Sequence, residues 1–262
     1  MKKVVLYTTV LILGAILLSI FTNAAFVGIV VGVISSILLL YVDTIASNLE
    51  NLNYWWISIR HRDTYIRLSM SYLFRIKVEG KYLLVRGARL PQFQPVGGVF
   101  KRYTTSNGFF SRIEGLDDDT IPLDQTSKDD LRIRIKGRHL VTFLDWFNSR
   151  KEREISCWRE FYQELIEPGY LPQDSFPFIN YQYVKRHEYP LRYSDPAQSL
   201  ELLIAEIYEL LPTAEQEAFL KQMSIMENSN FIWVDEDRIR RRGAIPKKDL
   251  TLNISEHSRL IL

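Results

Sequence analysis

The sequence predicts two transmembrane α-helices followed by one α/β domain. Three observations predict it. Two long uncharged apolar runs open the chain, short segments of period-two alternation begin near Tyr72, and amphipathic stretches of helical period lie among and after them. The expected boundaries are a two-helix hairpin over 1–45, a juxtamembrane linker over 46–70 and a cytoplasmic domain over 71–262.

The hairpin comes first. Between Val4 and Val42 there is no Asp, Glu, Lys or Arg. The run Val4–Phe21, a break at Thr22 and Asn23, and the run Ala24–Val42 each approach the roughly 20 residues that cross a hydrocarbon core. In lipid only a helix satisfies its own backbone polar groups, so two antiparallel helices are expected. Lys2 and Lys3 precede the first run and Arg60, Arg62 and Arg67 follow the second, which puts both termini in the cytoplasm of a multi-pass inner-membrane protein. A cleaved signal peptide is the competing reading, and the second run argues against it. Gly14, and Gly28-x-x-x-Gly32 with Ser35 and Ser36, offer small-residue contact faces. In the linker, Trp55 and Trp56 suit an interface anchor or a helix packed on the following domain.

Charge and cysteine content exclude several classes. The formal net charge is +2, and removing Lys2 and Lys3 leaves 2 − 2 = 0, so binding to nucleic acid through net charge has no support. Cys157 stands alone, which rules out an internal disulfide and a four-cysteine zinc site. His61, His139, His187 and His257 have no metal-ligand spacing.

In the domain, Phe74–Val78 and Lys81–Arg86 read as strands joined by a tight turn at Glu79-Gly80. Gly97-Gly98 follows Pro95 and marks backbone that can approach a ligand. Leu116–Asp119 and Lys128–Asp130 read as acidic loops, Leu131–Ile135 as a strand with Arg132 and Arg134 on one face, and His139–Asn148 as helical or mixed, with Leu140, Phe143, Leu144 and Phe147 facing a core. Glu152–Glu167 reads as an amphipathic helix with Ile155, Trp158, Tyr162 and Leu165 as its apolar stripe, ended by Pro168-Gly169. Glu160, Gln163 and Glu164 project together from it and present oxygen ligands to a divalent cation, or form a solvated charged face.

The strand ending Leu83-Leu84-Val85-Arg86, the Pro95-x-Gly97-Gly98 turn and the later Arg159-Glu160-Phe161-Tyr162-Gln163-Glu164 together resemble a Nudix domain. With two apolar runs before it, the chain resembles the membrane-anchored Nudix effectors of CBASS antiphage systems. That resemblance implies a mixed sheet between helices and a cyclic di- or oligonucleotide signal made by a cGAS-like nucleotidyltransferase. It also implies assembly of a homo-oligomer that disrupts the lipid bilayer. By the same resemblance Glu160, Gln163 and Glu164 are the positions for Mg²⁺, Glu160 is the catalytic residue if the domain is an enzyme, and Gly97, Gly98 and Arg159 line the ligand. The departures are concrete. The family's Nudix box ends in Arg-Glu-apolar-x-Glu-Glu with its Gly 14 positions and its first Glu eight positions before the Arg, whereas Gly98 lies 61 positions before Arg159 (159 − 98), which implies a long insertion; the box's first Glu falls on Lys151, beside Glu152 and Glu154; and Gln163 replaces an acid. A binding-only sensor is therefore expected, with a membrane-tethered Mg²⁺-dependent nucleotide pyrophosphohydrolase as the alternative.

Beyond the box, Phe176–Val184 reads as a strand running into Lys185-Arg186-His187, and the resemblance, which implies a ligand between the glycine turn, the box helix and neighbouring strands, makes Lys185 and Arg186 expected phosphate contacts. Leu200–Leu211 reads as an amphipathic helix, and near the end the apolar stretch Phe231–Val234 leads into Asp235, Glu236 and Asp237. Arg238–Arg242 with Lys247-Lys248 makes a basic patch, open to headgroups, to a signal phosphate or to pairing with Asp235, Glu236 and Asp237.

Overall fold

The computed structural model describes residues 7–14, 16, 24–46, 49–87, 90–118, 128–245 and 252–262. The chain divides into two units, Met1–Asp63 with Gly137–Thr142, and Thr64–Lys136 with Phe143–Leu262.

In the first unit residues 7–14 and 16 are helical, α1 covers Ala24–Ala46 and α2 covers Leu49–Arg60. Among the described residues no helix is long and apolar enough to cross a membrane, which overturns the expected pair of transmembrane spans. Lys2, Lys3, Thr22 and Asn23 lie outside the described residues. Gly14 does form a close approach, since a Cβ there would come within 2.8 Å of the Ile34 side chain. Gly28 and Gly32 meet nothing within 4 Å, so the expected small-residue face packs on none of the described residues. The Ser35 and Ser36 hydroxyls donate to the carbonyls of Val31 and Gly32, one turn back. Tyr54, Ile57 and Ser58 of α2 are buried, while Leu52, Trp55, Trp56 and Ile59 form an exposed stripe at helical spacing.

In the second unit the strands are β1 (Tyr65–Arg75), β2 (Lys77–Val78), β3 (Lys81–Arg86), β4 (Phe93–Gln94), β5 (Gly97–Val99), β6 (Leu116–Asp117), β7 (Arg132–Lys136), β8 (Tyr181–Glu188), β9 (Arg192–Ser194), β10 (Ser199–Leu210) and β11 (Phe231–Val234). Seven of them form a mixed sheet in the order β6-β7-β1-β10-β8, with β5 also on β1 and β9 also on β10. β1 and β10 run parallel from Ile66↔Leu200 to Arg75↔Glu209, and every other pair in this sheet is antiparallel.

Of the expected strand pair Phe74–Val78 and Lys81–Arg86, only Lys77–Val78 pairs with Lys81–Arg86, because Phe74 and Arg75 belong to β1; Glu79 (φ 48°) with Gly80 (φ 81°) makes the two-residue turn whose positive φ values match strand twist. The expected helix Leu200–Leu211 is instead the strand β10. Its Leu, Ala and Glu residues favour a helix in isolation, but as a central strand covered on both faces it is buried along almost its whole length, Glu201 and Glu206 included. The insertion after Gly98 is built into the fold: it carries α3 (Asn107–Arg112), β6, β7 beside β1, and α4 (Leu140–Asn148).

Two cores flank the sheet. On one side Ala205 and Ile207 of β10 pack with Tyr82 and Leu84 of β3, Val234 of β11, and Ile239, Ile254, Leu260 and Ile261. The other core is aromatic: Tyr72 lies 4.8 Å from Phe100, Phe100 5.6 Å from Phe147, Phe74 5.7 Å from Phe161, and Phe161 6.0 Å from Phe176, all of them fully buried.

Candidate functional site

The helix expected over Glu152–Glu167 is shorter, with α5 at Trp158–Phe161 running on as a π-helical turn, Tyr162–Ile166. The residues before it are tied to the insertion, since the Glu154 amide donates to the Lys101 carbonyl at 2.7 Å and the Tyr103 amide to the Glu152 carbonyl at 2.9 Å. The buried apolar side chains are Phe161, Leu165 and Ile166, whereas Ile155 is exposed. Turning these three inward leaves Arg159, Glu160 and Glu164 over β5, with Gln163 exposed beside them.

Both glycines are required here. At Gly97 (φ 145°) a Cβ would overlap the Tyr72 carbonyl, and at Gly98 it would overlap the Glu160 carboxylate. The missing side chains let the box helix settle on the strand. The Gly97 amide donates to Glu164 Oε2 at 2.9 Å. Arg159 is the hub: Nε and Nη2 donate to the two Glu154 oxygens at 3.0 Å each, Nη1 to Glu160 Oε1 at 2.5 Å, and Nη2 to the Val99 carbonyl at 2.8 Å. Nη1 also lies 3.4 Å from Gln163 Oε1. Charge-assisted pairs of this kind fix orientation as well as charge.

Burial, reinforced by Glu160 and opposed by the Gly97 amide and Arg159, pushes the Glu164 carboxyl up to about 8. Burial, with Glu154 beside it, also raises the Tyr72 phenol, and its hydroxyl has no hydrogen-bond partner among the described residues. Cys157 is buried at the foot of the same cluster, and its thiol is raised by burial and by Glu154. It is not a reactive thiolate.

The resemblance to Nudix domains implies Mg²⁺ at Glu160, Gln163 and Glu164, and the donor set here does not fit it. Glu160 and Gln163 face the Arg159 guanidinium, Glu164 faces an amide and keeps its proton near neutral pH, and the middle ligand is a neutral amide. Among the described residues no three His, Cys, Asp or Glu side chains are grouped to hold a metal.

Gly97, Gly98, Arg159, Glu160, Gln163 and Glu164 are thus brought together, and Lys185 and Arg186 are not brought together. As neighbours on β8 they point to opposite faces of the sheet. Lys185 Nζ reaches the Leu262 oxygen at 3.0 Å, while Arg186 donates to Glu206 Oε1 at 2.8 Å and to Asn148 Oδ1 at 2.9 Å. Arg186 is linked to the box through a relay: Arg186 and Arg153 lie over the Phe147 ring at 5.6 and 3.8 Å, and Arg153 donates to the Glu154 carbonyl at 2.7 Å. Glu154 is the site residue that sequence reasoning missed. Its signal was its closeness to Lys151, where the first acid of the box was expected.

Other charged positions are paired within the fold. Arg132 lies 3.6 Å from Asp130 and Arg134 3.0 Å from Asp118, while Arg240 and Arg241 pair with Glu236 and Asp237 on α6 (Glu236–Arg240). Lys247 and Lys248 lie outside the described residues.

A family profile described as the SMODS-associated NUDIX domain matches residues 65–262, from the first residue of β1 to the end of the 3₁₀ helix Glu256–Ile261 and Leu262. No curated protein matches the chain. The matched span contains the seven-stranded mixed sheet, the Gly97-Gly98 strand and the Arg159 hub, and the chain belongs to the SMODS-associated NUDIX domain family.

Proposed function

We propose that the chain is the effector of a CBASS antiphage system, and that its Nudix domain binds a cyclic di- or oligonucleotide made by a partner cGAS-like nucleotidyltransferase without hydrolysing it. Family membership supports the effector role. The observation that supports binding without turnover is the self-neutralised box: Arg159 holds Glu154 and Glu160, and Glu164 is bonded to Gly97. A hydrolase needs those carboxylates free for a cation.

Ligand binding then favours an assembled homo-oligomer over the resting chain. We place that event at the cell inner membrane, on the support of exposed apolar side chains in the first unit, among them Ile29, Leu39, Leu40, Trp56 and Ile59.

The test is calorimetric titration of the full chain with a panel of cyclic di- and trinucleotides, followed by product analysis with and without Mg²⁺. The expected result is one binding member, recovered intact, with Glu160→Gln binding it within about threefold of wild type, or less than about 0.7 kcal/mol. Failure of every panel member to bind sinks the sensor reading. Mg²⁺-dependent cleavage that Glu160→Gln abolishes establishes the pyrophosphohydrolase instead. Recovery of the full chain in the soluble fraction of lysed cells without detergent sinks the membrane placement.

A further inference from the structure

β8 is a terminal strand of the main sheet, eight residues long, and among the described residues no strand pairs with its outer edge. An open edge of that length is a template for another strand. Which groups it offers follows from the ladder to β10. The Tyr189 amide donates to the Leu203 carbonyl, and that register makes His187↔Ala205 and Lys185↔Ile207 the hydrogen-bonded pairs. Arg186 therefore turns its backbone N–H and C=O outward. At the other end the Leu211 amide donates to the Asn180 carbonyl, which makes Gln182↔Glu209 hydrogen-bonded and turns the backbone of Tyr181 and Tyr183 outward. Between the two stretches the register shifts opposite Ile207/Tyr208, leaving Val184 as an extra residue.

That bulge spoils pairing with a regular strand, because the outward residues 183 and 186 are three apart instead of two. A second β8 in antiparallel orientation carries the same irregularity. Placed about a twofold axis between Val184 and Lys185, Tyr183 faces Arg186 of the second copy and Arg186 faces its Tyr183, so outward residues meet outward residues on both sides of the bulge. Tyr181 falls opposite Glu188, Gln182 opposite His187, and Val184 opposite Lys185. No two like charges oppose each other, and Tyr183, 51% exposed, gains an arginine across the strand. We propose that two copies of this chain join through the outer edges of β8 in this register, extending the two mixed sheets into one. The joint is isologous, as a twofold contact must be. It deepens the assembly step of the proposed function and rests on that reading only for its biological timing.

Disulfide trapping tests it on the full chain in neutral detergent. In this register positions 182 and 187 of opposite copies form a non-hydrogen-bonded pair, the geometry with the closest side chains. Within one copy they are five residues apart along an extended strand, roughly 16 Å, too far to bridge. Cys157 is buried and stays silent. Gln182→Cys protein mixed with His187→Cys protein should give a disulfide-linked heterodimer under mild oxidation, at least tenfold more than either variant alone. Adding Tyr183→Pro, which removes an outward N–H and no bond to β10, should reduce the yield at least fivefold. No heterodimer in the mixture, or equal cross-linking of each variant alone, overturns the proposal. The nucleotide titration reads neither outcome, so failure here and failure of the sensor reading remain distinguishable.

Discussion

Glu164→Gln isolates one ionisation at the heart of the site. In the wild type the carboxyl is raised from 4.5 to about 8, chiefly by burial, so the folded chain holds a proton that the unfolded chain releases. A raised folded pKa means stability is fully present below pH 4.5 and is lost as pH rises through about 8. The full separation corresponds to at most about 5 kcal/mol, and a half-buried side chain realises less, about 2 kcal/mol. Glutamine keeps an oxygen for the Gly97 amide and cannot ionise. The variant should therefore gain on the wild type by about 2 kcal/mol between pH 4.5 and 8.5, and by nothing further above that. Urea unfolding at four pH values, followed by tryptophan fluorescence, reads this difference. A gap that is constant with pH, or that narrows as pH rises, refutes the placement of a protonated carboxyl against Gly97.

Gly98→Ala puts a methyl group into the Glu160 carboxylate and should cost about 1–3 kcal/mol, read as a lower midpoint in the same unfolding assay. Glu206→Ala strips the partner from Arg186 and Tyr208 and should cost about 3 kcal/mol by urea unfolding, since Glu206 is buried and leaves a charge uncompensated. Tyr72→Phe removes a buried hydroxyl that has no partner, so its thermal midpoint should be equal to or above that of the wild type, with a gain of about 0–1 kcal/mol.

What the sequence disclosed depended on how local each signal was. The Lys77–Arg86 hairpin, β7 and α4 were legible because alternation, a Glu-Gly turn and an amphipathic stripe each act within a few residues. β10 was not, because its strand state is imposed by β1 and β8 on either side, and its composition favours a helix. The box helix was overextended for a related reason: Arg153 interrupts it by pairing as a bridge with Arg102 and burying itself between Phe100 and Phe147. At the site, Gly97, Gly98, Arg159, Glu160, Gln163 and Glu164 were found through family resemblance, and their convergence reflects the small volume of the two glycines. Two consecutive residues of a strand cannot face one ligand, so the separation of Lys185 from Arg186 was implicit in reading that stretch as a strand.

The parallel pairing of β1 with β10 sets a schedule for synthesis. Arg67 and its ion-pair partner Glu201 are 134 residues apart, so the centre of the sheet waits for the chain beyond it to emerge. At about 5–20 residues per second that delay is roughly 7–27 seconds. During it one flank of β1 can be covered by β5 and β7, both made earlier, while the flank destined for β10 stays open. A strand with Ile66, Leu68, Met70, Tyr72 and Phe74 fully buried in the finished fold is thus left half-dressed on the ribosome. Chaperone dependence should concentrate in that interval and should ease once Leu210 has cleared the exit tunnel.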